Sequence, residues 1–121
     1  MAKLSNFTIN STYPAAIKNG STSGNITFPS RSMGAYTEYS VSQNITVASG
    51  QIVTPAIKVG STIYPTSAYS NQTNQWMEQI WIERTSATNV KVTFYVMNIG
   101  SSTATHSATT ATVYINTFTM P

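Results

Sequence analysis

The sequence predicts an all-β protein: a single antiparallel β-sandwich of about eight or nine short strands, with minimal helix. The clearest ground is residues 76–99, where two runs of alternating residues flank a turn-rich tetrad. Period-two alternation with β-branched and aromatic enrichment marks strands with one buried face. A second ground is punctuation, since Gly-, Pro- and Asn-rich turns recur about every 8–12 residues, as sandwiches and small barrels require. The third is composition. Ser, Thr and Asn carry most of the polarity and disfavour helix interiors, whereas Thr, Val, Ile, Tyr and Phe suit strands.

Taken in order, residues 4–9 alternate Leu4, Asn6 and Thr8 against Ser5, Phe7 and Ile9, which predicts a first strand. Residues 11–24 hold Pro14, Gly20 and Gly24 and read as loop. Residues 25–28 form a short strand stopped by Pro29, and 30–35 form a loop punctuated by Gly34. Short strands follow at 36–41 and 44–47, then a turn at Ser49 and Gly50. Pro55 assigns the strand at 52–59 to a sheet edge or a bulge, because proline cannot donate to a ladder. Gly60 turns the chain into 61–70, where Pro65 acts in the same way.

The hairpin is the firmest element. In the run 76–84, from which a strand is read at 77–85, Trp76, Glu78, Ile80, Ile82 and Arg84 share one face, and Met77, Gln79, Trp81 and Glu83 share the other. After the tetrad at 86–89, Val90, Val92, Phe94 and Val96 alternate with Lys91, Thr93, Tyr95 and Met97 through the strand at 90–99. Residues 100–108 read as a small polar loop containing His106. A last strand at 109–119 turns Ala111, Val113 and Ile115 one way and Thr112, Tyr114, Asn116 and Phe118 the other, and is expected to pair with 90–99. Neither a fixed-period repeat nor a linker divides the chain, so residues 1–121 form one domain.

Composition narrows the chemistry. At 121 residues the chain can bury a core without disulfides, and it has no cysteine. Charged residues make up 7%, with 6 Lys and Arg against 3 acidic residues, all glutamates. The cations Lys3, Lys18, Arg31, Lys58, Arg84 and Lys91 are dispersed, whereas phosphate binding needs them clustered. Nucleic acid is therefore not an expected partner. No cysteine and one histidine leave no ordinary zinc site, three glutamates leave no calcium or magnesium cage, and no phosphate loop is present. The expectation is no metal and no cofactor.

Catalysis meets the same shortage. A triad needs a histidine base and an orienting acid, and His106 reads as a solvated loop residue. Glu78 and Glu83 lie five apart on one strand and point to opposite faces, so they do not form a glycosidase pair. No catalytic residue is assigned and no enzyme activity is expected. The first residues lack an apolar core of signal-peptide length, and no stretch reaches the apolar length of a membrane-spanning helix, so no membrane insertion is expected. Asn-X-Ser/Thr sequons begin at Asn6, Asn10, Asn19, Asn25, Asn44 and Asn71 and are read as unglycosylated.

Binding chemistry is better supplied. Tyr64, Tyr69, Trp76 and Trp81 cluster in sequence, interleaved with Gln72, Asn74, Gln75, Glu78 and Arg84. Flat aromatic faces meet the C–H side of a sugar ring, and amides and carboxylates meet its hydroxyls. The candidate ligand-binding set is Trp76, Trp81, Tyr69, Tyr64, Glu78 and Arg84. The competing and favoured reading is packing, since Trp76 and Trp81 fall on opposite faces, one core and one surface or subunit interface. Tyr36 and Tyr39 split in the same way around Glu38. Arg84 finds no suitable charge across its hairpin and is expected to pair with a neighbouring subunit. Scarce charge and the apolar ending Phe118-Thr119-Met120-Pro121 predict a homo-oligomer of cyclic symmetry.

The runs Val-Lys-Val-Thr-Phe-Tyr-Val-Met-Asn-Ile-Gly-Ser-Ser at 90–102 and Val-Tyr-Ile-Asn-Thr-Phe-Thr-Met-Pro at 113–121 resemble small β-sandwich proteins of tailed phages and prophages. The opening Leu-Ser-Asn-Phe-Thr-Ile-Asn-Ser-Thr-Tyr-Pro at 4–14 looks like the start of such proteins. The run Thr-Pro-Ala-Ile-Lys-Val at 54–59 is similar to the Pro-containing strand of trimeric H-type-lectin sandwiches, whose cysteines this chain lacks. The resemblance implies a virion accessory role as tail, fibre or capsid decoration, at a virion or extracellular surface. It also implies a trimer, other virion or surface proteins as partners, and contact with host glycans in attachment. The expected function is thus a non-enzymatic structural subunit, with a lectin-like adhesion module as the alternative.

Overall fold

The computed structural model describes residues 18–119; at 18–20, 51–54 and 119 it describes the backbone alone. The strand expected at 4–9 lies outside the described residues. Ten strands and no helix are present among the described residues. They are β1 (Lys18–Phe28), β2 (Arg31–Met33), β3 (Glu38–Thr46), β4 (Gln51–Val59) and β5 (Thr62–Tyr64) in the first half. The second half holds β6 (Ala68–Gln72), β7 (Trp76–Ser86), β8 (Asn89–Asn98), β9 (Ala104–His106) and β10 (Thr109–Thr119).

They form two four-stranded sheets, β1-β10-β4-β5 and β3-β8-β7-β6, and a two-stranded sheet, β2-β9. All pairings are antiparallel. The alternation read from sequence sets which face each sheet buries. Ala111, Val113 and Ile115 of β10 and Ile57 of β4 meet Val90, Val92, Phe94 and Val96 of β8 and Ile80 of β7 in one core. Phe28 closes it, its ring 5.5 Å from Phe94 and 5.8 Å from Tyr39 of the other sheet. The sheets come close at Gly24, where an added Cβ would sit 2.8 Å from Ile45 Cδ1, so only glycine fits there without moving Ile45.

Several expectations change. The hairpin at 77–85 and 90–99 is present as β7 and β8, joined across residues 87 and 88. β10 does not pair with β8; it lies between β1 and β4 in the opposite sheet. Its buried face matched either sheet equally well, and the crossover through β9 carries it across. Residues 18–24, read as loop, belong to β1, because the backbone of this small polar stretch pairs residue by residue with β10. The separate strands at 36–41 and 44–47 are one strand, β3. Residues 31–33 and 104–106, read as loop, pair as β2 and β9. Pro55 lies opposite Ile115, one residue from a register shift at Asn116/Thr117. On the other side of β4, β5 pairs only with Ile57, Lys58 and Val59, so Pro55 sits on an open stretch of edge.

Candidate functional site

The sandwich has a polar end and two outer sheet faces, and the predicted site residues are divided among them. At the polar end, β2-β9 lies against the core, and β9 delivers His106 into the interior, 3% exposed. His106 is therefore not a solvated loop residue. Its ring packs edge-on to Phe28 and to Trp76, each at 4.9 Å between centroids. Its Nε2 lies 2.5 Å from Glu78 Oε2, and the other carboxylate oxygen of Glu78 accepts from Asn71 Nδ2 at 3.5 Å. The opposite ring nitrogen, Nδ1, is buried without a hydrogen-bond partner.

Asn98, fully buried at the end of β8, is satisfied on both sides of its amide. Its Oδ1 accepts from Gln75 Nε2 at 2.6 Å and from the Gly100 amide at 2.9 Å. Its Nδ2 donates to the Met33 and Ser102 carbonyls, both at 3.0 Å. One side chain thus ties β2, the 99–103 segment and the start of β7 to the core. His106, Asn98 and Gln75 carry no sequence signal for these roles, since their partners lie far away in the chain.

The six predicted ligand-binding residues do not converge on one surface. Trp76 and Glu78 meet at His106, on the inner face of β7. Tyr64 and Tyr69, on edge strands of opposite sheets, pack with ring centroids 4.9 Å apart and planes tilted by 59°. Burial holds the Tyr69 hydroxyl above its usual pKa of 10.0, and the charges of Glu78 and Tyr64 add to that. Trp81 stands on the outer face of the second sheet, as its spacing from Trp76 required. Arg84 does not wait for a neighbouring subunit. Its Nε donates to the Ser86 carbonyl at 3.1 Å and its Nη2 to the Ala87 carbonyl at 2.7 Å, clamping the β7–β8 turn.

A His–Glu pair is two thirds of a hydrolytic triad, and its geometry bears on catalysis. The nucleophile would have to bond the free nitrogen, Nδ1. That atom is buried and bonded to no hydroxyl, and Phe28 and Trp76 flank the ring. The pair can orient β9; it cannot hand a proton to a substrate from that nitrogen.

The outer faces differ. On β1-β10-β4-β5, register aligns Thr27 with Thr110, Asn25 with Thr112 and Ser23 with Tyr114. Neighbouring side chains bond each other there, Thr27 Oγ1 to Thr110 Oγ1 at 2.8 Å and Thr112 Oγ1 donating to Asn25 Oδ1 at 2.9 Å. Tyr114 and Ile63 stand out of this face, 36% and 57% exposed. On β3-β8-β7-β6, Met77, Gln79 and Trp81 line up with Met97, Tyr95 and Thr93, and Tyr95 Oη donates to Glu38 Oε2 at 2.5 Å. A notch of about 240 Å³ opens along β6 and β7, lined by Ala68, Tyr69, Ser70, Gln79, Ile80 and Trp81.

Comparison with protein-family models, curated proteins and solved structures returns no significant match.

Proposed function

We propose that this domain is a non-enzymatic structural subunit of a virion or similar surface structure, working as a homo-oligomer, with a trimer the form its resemblance implies. The observation that carries the reading is the outer face of β1-β10-β4-β5. Two large apolar side chains, Tyr114 and Ile63, project from a field of hydroxyls and amides in which Lys58 is the one charge that register places among the described side chains. The Thr and Asn side chains already bond each other, so covering them with a second copy strands few polar groups. Depletion of charge around aromatic anchors is the composition of interface cores. The phage-like runs at 90–102 and 113–121 supply the setting, and the burial of His106, with its Nδ1 shut away from solvent, supports the non-enzymatic reading.

Sedimentation or multi-angle light scattering tests the reading. The protein is expected to run as a discrete oligomer at tens of micromolar. The double variant Tyr114→Lys/Ile63→Lys is expected to run as a monomer with unchanged circular dichroism and melting temperature. A wild-type monomer at that concentration would refute the proposal.

A further inference from the structure

The notch on the opposite outer face has the chemistry of a sugar site, and we infer that it binds a neutral pyranose ring. Its shape follows from register. Ala68 lies beside Trp81 and Ser70 beside Gln79, so two small residues on β6 flank two large ones on β7. The large side chains rise as a wall and the small ones leave a step, with Tyr69 and Ile80 closing the floor. Thr93 points outward beside Trp81 yet is only 9% exposed. Its register neighbours are Trp81 on one side and Ser42 on the other, with Lys91 and Tyr95 two residues away on its own strand.

The notch is mostly apolar with a few unspent polar groups. No side-chain hydrogen bond within the described residues engages the Gln79 amide or the Ser70 hydroxyl, and no charged side chain lines the notch. An uncharged wall and floor favour an uncharged ligand over a phosphate, a carboxylate or a peptide terminus. An aromatic face beside an amide and a hydroxyl matches the alternation of C–H and O–H on a sugar ring. The volume of about 240 Å³ falls below the about 300–1,000 Å³ of drug-sized pockets, which limits the contact to about one ring and the affinity to roughly millimolar. Avidity in an oligomer would raise that without new contacts. Of the six-residue set, Trp81 and Tyr69 line the notch; Trp76, Tyr64, Glu78 and Arg84 are committed elsewhere.

The test titrates the protein with methyl glucoside, galactoside, mannoside and N-acetylglucosaminide, following the Trp81 indole N–H and the Gln79 side-chain amide by NMR. At least one sugar is expected to shift both resonances saturably. Trp81→Ala is expected to weaken that sugar about 10-fold or more, and Gln79→Ala by about 3-fold or more. Ser70→Arg fills the step without touching the core and is expected to abolish binding, which keeps the test valid if Trp81→Ala fails to fold. No response to any of the four sugars at about 100 mM, or a response that survives Ser70→Arg, overturns the inference. Oligomeric mass is measured on the same samples. Because the notch and the Tyr114 face lie on opposite sheets, loss of one behaviour with retention of the other identifies which reading has failed.

Discussion

Asn98 and His106 are both buried polar side chains at the same end of the sandwich, and they are treated differently. Every hydrogen-bonding site of the Asn98 amide is used, and three separate pieces of chain meet on it. His106 has one strong partner in Glu78 and one orphaned nitrogen. A buried group repays its desolvation only when all its sites are paired. Asn98 is thus a structural hub. His106 is a compromise whose aromatic packing against Phe28 and Trp76 is worth more than its polar end.

Substitutions can break or sharpen that contrast. The largest effect is expected from Asn98→Leu, which strands two carbonyls, an amide N–H and the Gln75 side chain. Chemical denaturation should report a loss of about 3–5 kcal/mol. Glu78→Leu comes next, at about 2–3 kcal/mol, because it leaves both His106 nitrogens buried and unpaired. His106→Phe should cost about 1 kcal/mol or less. It removes the orphan and keeps the ring, while the Glu78 side chain, 16% exposed, can recover water. If His106→Phe costs as much as Asn98→Leu, the ranking of the two sites is wrong.

The smallest effect concerns an exposed counterpart. Tyr95 donates to Glu38 with the same 2.5 Å spacing as the buried pair, but in contact with solvent. That hydrogen bond holds the Tyr95 pKa above its usual 10.0, with burial and the Glu38 charge adding to it. The folded state therefore keeps this proton longer than the unfolded chain does. The pair's contribution to stability is present below pH 10 and is lost as pH rises through the raised pKa. Glu38→Gln should leave stability at neutral pH within about 0.5 kcal/mol. In ultraviolet titration it should return one late-ionising tyrosine toward 10.0. An unchanged titration curve would show that the bond does not persist in water.

Legibility in the sequence followed distance along the chain. The β7–β8 hairpin was readable because both partners and their turn fall within one short window, each with its own alternation. The split of Trp76 and Trp81 across β7, and of Glu78 and Glu83, followed from the same pleat. Residues 18–24 gave no such signal. Lys-Asn-Gly-Ser-Thr-Ser-Gly holds no apolar residue to alternate, and its strand exists because β10 offers a partner. β2 and β9 are three residues each, too short for any period to register. The candidate site was half legible. Trp81 was singled out, but Ala68 and Ser70 matter by being small, and smallness on a neighbouring strand becomes a notch only once the register is known.

The sequence by itself determined the class of the protein and the inward set of its longer strands, because the pleat turns alternate side chains to opposite faces whatever the strand pairs with. Tertiary structure alone decided that β10 joins β1 and β4, that a three-residue strand carries His106 against Glu78, and that Arg84 clamps its own turn. Those outcomes depend on which sheet each crossover enters. Apolar surface is non-directional, and it rewards burial equally in either sheet.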